Sequence, residues 1–255
     1  MVAASPAVHV ASIDPRPPAA ARMPINAQTW ESLSLLHWEV PVSAVQRRLP
    51  PGLIADELDG RTWLGVVPFV MSGVRVPPLP AIPRWSVFPE LNARVYVHDL
   101  AGNRGVWFLN LWCSSGGFVA SARALGLPYR RAHAHVGLAR TTGGADAVAY
   151  RFLRSRRRAA ISFEAAISAA EAADASSGLT AWLTARWNMF AVRGGRLWRY
   201  PVHHEPWTLC RAITDELRTD VPERLGFAIS GVPPLAHVAD AVHALVGVPR
   251  LAPRP

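Results

Sequence analysis

An α+β fold, mostly β and built on a largely antiparallel sheet with a few short helices, is what this sequence predicts, and three observations carry it. Alternating or β-branched apolar runs recur along the chain. Glycine-bearing turns, Asp59-Gly60, Gly102-Asn103 and Gly194-Gly195, separate several of them at hairpin spacing. Ten tryptophans in 255 residues are too many for a surface and need a sizeable core.

Residues 1–28, rich in Ala and Pro, have neither a basic start nor a continuous apolar stretch, and read as a disordered leader rather than a signal peptide. Residues 29–255 read as one domain, since no repeat or shift of composition divides them. Residues 30–40 alternate enough for a first strand, and Pro41-Val42-Ser43 offers a cap for a short helix that Pro50-Pro51-Gly52 stops. Residues 53–58 and 62–71 flank Asp59-Gly60-Arg61 and are expected to pair antiparallel. Four prolines within 76–83 exclude a central strand and predict a lid-like loop. Residues 90–98 and 105–113 form the next hairpin, and 118–125, Ala-rich and closed by Gly126 and Pro128, a short helix.

Residues 131–140, 145–153 and 159–167 read as a meander. The alanines of 164–175 favour helix, while Ser176-Ser177-Gly178 leaves strand and loop open. Residues 179–187 read as an amphipathic helix and 188–193 with 196–203 as a hairpin; 208–217 and 244–251 close the fold.

All 27 cationic side chains are arginine. A lysine imine is closed to this chain, because arginine stays protonated and supplies no nucleophilic amine. The net charge of +9 and the run Arg151-Phe-Leu-Arg154-Ser-Arg156-Arg157-Arg158 invite a nucleic-acid reading, but aromatic interleaving is thin and a solvated strand pair accounts for the run. Cys113 and Cys210 are too few for a disulfide framework, which points to a reduced, cytoplasmic compartment. No apolar run spans a bilayer. His133-Ala-His135 and His203-His204-Glu205 are weak metal signals, and neither a metal nor another cofactor is expected.

The densest polar cluster in an apolar setting is Glu90-Leu-Asn92-Ala-Arg94-Val-Tyr96-Val-His98. At the period of a strand its charged and polar members share one face, and Leu91, Ala93, Val95 and Val97 the other. A solvent face and a polar pocket both fit this pattern. Arg123 on the short helix, Arg186 at the end of the next and His204 before Glu205-Pro206-Trp207 are further polar groups available to a pocket.

Leu36-His37-Trp38, Leu49-Pro50-Pro51-Gly52-Leu53, Asp59-Gly60, the Glu90–Val97 segment, Gly105-Val-Trp107-Phe108, Ala122-Arg123 with Leu127-Pro128-Tyr129, and Leu183-Thr-Ala-Arg186 resemble the YqjF-like family of unknown function, DUF2071, over residues 30–249. That family is similar in turn to the acetoacetate decarboxylase superfamily. The resemblance implies a cone-shaped, largely antiparallel β-barrel with short outer helices. The decarboxylase lysine lies in a Gly-Arg-Glu segment followed by Pro-Lys-Lys. The similar string here, Ala122-Arg123-Ala124 followed by Pro128-Tyr129-Arg130, puts Tyr129 in the lysine's place, and Glu90 resembles the active-site glutamate. Glu90, Arg123 and Tyr129 are then expected to line one cavity as catalytic residues, with Asn92, Arg94, Tyr96, Arg186 and His204 binding the ligand.

Arg94, Arg123 and Arg186 suit a carboxylate or enolate oxygen, Glu90 a proton exchange, and Tyr129 a carbonyl or oxyanion. That equipment fits a lyase, hydratase or isomerase acting on a small carboxylate- or carbonyl-bearing molecule. A non-catalytic ligand-binding or sensing barrel is the alternative, a basic nucleic-acid module the third reading, and a structural network that fixes barrel register explains the same residues.

Overall fold

The computed structural model describes residues 13–18, 23–81, 86–154, 160–176, 178–229, 233 and 235–254. In place of one strand over 30–40 there are two, β1 (Asn26–Glu31) and β2 (Leu33–Val40), because Ser32 between them is left-handed at φ 47°. Residues 26–28, assigned above to the leader, thus belong to the sheet; most of the rest of the expected disordered leader lies outside the described residues. Helix α1 (Val42–Gln46) is capped at Pro41 with no side-chain hydrogen bond, so Ser43 sits inside the helix instead of capping it.

Strands β3 (Leu53–Ala55) and β4 (Thr62–Arg75) do not pair with each other as expected. The turn between them is tight, with Asp59 and Gly60 both at positive φ and Leu58 and Arg61 exchanging backbone hydrogen bonds. However, β1 and β2 occupy one edge of β4 and β5 (Phe88–Asp99) the other, so β3 pairs with the far end of β5. The expected hairpin of β5 with β6 (Arg104–Cys113) is present. Helix α2 (Gly116–Ala124) and β7 (Tyr129–Arg131) follow, then the meander β8 (His133–Arg140), β9 (Asp146–Arg154) and β10 (Ile161–Ala173). The ambiguous alanine-rich stretch forms most of β10: β13 pairs with it as far as Ala173 and β9 as far as Ser168, and ladder formation overrides helix propensity.

The remaining elements are α3 (Gly178–Thr184), the hairpin β11 (Asn188–Arg193) and β12 (Arg196–His204), β13 (Leu209–Thr219), α4 (Val221–Arg224), β14 (Leu235–Ala239), β15 (Val242–Val246) and β16 (Arg250–Leu251). Seven strands close a ring in the order β4–β5–β6–β11–β12–β15–β1 and back to β4. Its pairings are antiparallel except β6–β11. At that seam a Cβ on Gly105 would stand 2.5 Å from the Asn188 carbonyl oxygen, so closure depends on glycine there.

A second sheet, β2–β14–β13–β10–β9–β8, runs on from β4 and folds over the outside of β4, β5 and β6. Leu36, Leu64, Leu91, Val95, Phe152 and Phe163 pack between the two layers. The barrel therefore has a dry core outside one wall and a hollow inside it. On the second sheet Arg151 pairs with Glu164 across β9 and β10, while residues 155–158 of the arginine run lie outside the described residues. No helix among the described residues is long and apolar enough to cross a membrane.

Candidate functional site

Strand β5 is buried on both sides, which excludes the solvent-face reading of its polar residues. Leu91, Ala93, Val95 and Val97 enter the core between the layers, and Glu90, Asn92 and Arg94 face a cavity of about 490 Å³ inside the ring. Phe69 and Val67 stand beside Glu90 and Asn92 on β4, so the polar row is set into an apolar wall. Helix α2 lies across the ring and brings Phe118 and Ala122 to the same hollow.

Tyr129, on β7 just after α2, donates its hydroxyl to Glu90 Oε2 at 2.7 Å. Burial pushes the Glu90 carboxyl up to about 8, only partly opposed by the tyrosine hydrogen bond, so at neutral pH it is mostly the neutral acid. Burial and then the adjacent Glu90 raise the Tyr129 phenol well above its usual range. Cys113, directly across the ladder from Glu90, is pushed up to about 12 by burial and then by Glu90, and stays a thiol.

Arg94 lies farther along the same face, opposite Gly65. A Cβ there would come within 3.2 Å of both the Arg94 stem and the Tyr96 hydroxyl, so glycine leaves them room. Tyr96 reaches past it to share a 2.7 Å hydrogen bond with His37 Nε2. Tyr96 therefore belongs to the layer beneath the cavity and does not line it, contrary to the expectation of a ligand contact.

Arg186 does line the cavity. It is buried, pairs with Asp56, donates from Nε to the Trp182 carbonyl at 2.8 Å, and lies over the rings of Tyr96 and Trp182. Desolvation lowers its pKa and Asp56 opposes the shift, leaving the guanidinium charged. Arg186 Nη2, Arg94 Nε and Asn92 Oδ1 are buried without a hydrogen-bond partner among the described residues. Such atoms are costly unless something in the hollow meets them.

His204 lines the opposite wall, its ring tilted against those of Trp30, Trp187 and Trp207. Burial lowers it to about 4, so it is neutral and presents an aromatic surface more than a charge. Arg123 departs from expectation: it is exposed, and its Nε donates to the Tyr129 backbone carbonyl at 2.7 Å from outside the barrel. Ala122 takes the inward position on α2, and one residue further round a helix the side chain points about 100° away. The buried guanidinium groups at the cavity are those of Arg94 and Arg186; Arg75, exposed at the end of β4, borders it as well.

Sequence reasoning missed Asp56, Trp30, Trp207 and Gln28. Asp56 carried a faint signal, an acid closing the apolar run Leu53-Ile54-Ala55, but its partner Arg186 lies too far along the chain for spacing to reveal. His133 and His135 are exposed on β8, and among the described residues no cluster of three or more metal-ligating side chains forms.

Comparison with known proteins agrees with this architecture. The enduracididine biosynthesis enzyme MppR, solved with pyruvate, superposes with a TM-score of 0.61 at 15% identity, over 91% of this chain and 92% of that one. The acetoacetate decarboxylase of Legionella pneumophila gives 0.60 at 12% identity over 93% and 89%. An acetoacetate decarboxylase-like enzyme from Sphingomonas wittichii gives 0.61 at 12% over 90% and 94%. At these identities the likeness establishes the fold. In sequence, the uncharacterized protein YqjF of Bacillus subtilis is 32% identical over 219 residues, 84% of this chain and 87% of that protein. Residues 27–243 match the family described as an uncharacterized conserved protein, DUF2071, and this chain, with its acetoacetate decarboxylase-like barrel, belongs to that family.

Proposed function

We propose that the barrel hollow binds an organic acid or carbonyl compound, and that Glu90 and Tyr129 exchange a proton with it while Arg94 and Arg186 hold its oxygen. The observation that carries this reading is a neutral carboxyl hydrogen-bonded to a phenol, in one cavity with two guanidiniums that keep unpaired N–H groups. A neutral Glu90 donates a proton to a carbonyl oxygen or an enolate carbon; the ionised fraction accepts one. The arginines favour the negative charge that develops on oxygen in either direction. The pyruvate held by MppR, a protein of the same fold, supports a small carbonyl acid as the kind of ligand. A side-chain imine has no part in the reading, since the chain has no lysine.

The test is incubation with 2-oxo and 3-oxo acids in deuterated water, followed by NMR. Deuterium should enter next to the carbonyl faster than in buffer. Glu90→Gln should slow that exchange roughly 100-fold or more, and Arg94→Gln should weaken binding roughly 10- to 100-fold. Saturable binding without exchange selects a ligand-binding or sensing barrel. Failure of every acid to bind removes the reading.

A further inference from the structure

The cavity is far larger and more apolar than its polar row requires. We infer that its ligand is an amphiphilic acid, with a carboxylate or carbonyl head for Arg94, Arg186 and Glu90 and an aliphatic or aromatic body for the rest of the hollow. This rests on the reading above and narrows it to a substrate class. A cavity of about 150 Å³ accommodates benzene, so 490 Å³ has room for on the order of ten to twenty non-hydrogen atoms. A ligand the size of pyruvate fills only about a third of that.

The remaining walls are mostly apolar, with Asn26, Gln28, Thr184 and Asn188 as scattered polar side chains among them. Trp30 packs edge-on against Phe69 at 6.0 Å and stacks with Trp207 at 6.1 Å, giving a run of aromatic surface beside His204, which is itself uncharged. Val202 and Val246, paired across β12 and β15, continue the apolar lining toward Ile25. At the rim Val76 and Leu79, on the proline-rich loop, border the cavity while remaining 57% and 63% exposed. Exposed apolar side chains at the entrance to an apolar hollow suit a ligand that carries its own apolar body through it.

The experiment is a titration of the full chain with butanoate, hexanoate, octanoate, decanoate and dodecanoate, each beside its primary alcohol, followed by calorimetry and tryptophan fluorescence. Affinity for the acids should rise about fourfold per methylene until the hollow is full, then level off. Each acid should bind roughly 10-fold or more tightly than its alcohol. Val246→Phe should bring the plateau to a shorter acid and leave butanoate unchanged, a shift that general loss of stability would not produce. Equal affinity for butanoate and decanoate overturns the inference and leaves the acid-binding reading standing. Alcohols that bind as well as acids, or no binding at any length, overturn the inference too; the reading of the site itself falls only if the 2-oxo and 3-oxo acids also fail to bind.

Discussion

Glu90 and Leu91 are consecutive on one strand and almost equally buried, at 2% and 0% exposure, yet they meet opposite environments. Leu91 is locked into the apolar core between the two sheets. Glu90 looks into a hollow and finds a phenol within hydrogen-bonding distance. Burial alone therefore does not decide whether this strand accepts a carboxyl; the presence of space and a partner does. The largest effect expected is at the outer face. Leu91→Asp puts an unpaired carboxyl where leucine packs, and should cost roughly 5 kcal/mol or more, enough to abolish cooperative unfolding in urea. A variant that unfolds within about 1 kcal/mol of the parent would break the contrast between the faces.

The inner face makes a prediction of the opposite sign. The Glu90 carboxyl titrates near 8 in the folded chain and near 4.3 when unfolded, so between these values the native state holds one more proton. Its contribution to stability is then fully present below about pH 4.3 and is lost as pH rises toward about 8, by roughly 1 kcal/mol per pH unit. Glu90→Gln cannot ionise and lacks this slope. Measured by urea denaturation, the variant should gain on the parent by a few kcal/mol between about pH 5 and about pH 8. Parallel stability profiles would mean that Glu90 is solvated in solution.

The legible and illegible parts of the molecule divide along the same line as these two faces. Period-two alternation marked β5 and its hairpin with β6, because both faces are buried and each keeps one character. That alternation could not say whether the polar side met water or a hollow, since both select the same residue types. The answer depends on α2, β7 and β11, which arrive from later in the chain. Turn chemistry likewise located Asp59-Gly60 but misassigned the partner of β3, because a local turn does not reveal that both edges of β4 are already occupied. The alanines of β10 followed the same rule: long-range pairing with β13, joined by β9 as far as Ser168, outweighs a local preference for helix. Resemblance brought Glu90 and Tyr129 together from distant positions, whereas Arg123 shows its resolution. A shift of one residue on a helix separates a cavity wall from the surface.

Arg123 also permits the finest comparison, between two arginines on either side of Tyr129. Arg94 shares the cavity with the phenol, while Arg123 holds the backbone carbonyl of the same residue from outside. Removing a single hydrogen bond from an exposed guanidinium should cost at most about 1 kcal/mol. Arg123→Ala should therefore unfold within that margin of the parent and bind an organic acid with unchanged affinity, in contrast to Arg94→Gln. If Arg123→Ala instead weakened binding as much as Arg94→Gln, with stability intact, the carbonyl contact would be setting the position of the Tyr129 ring. The outer surface would then have to be counted as part of the site. The two variants, titrated with the same acid, decide whether the barrel wall separates function from support or transmits one to the other.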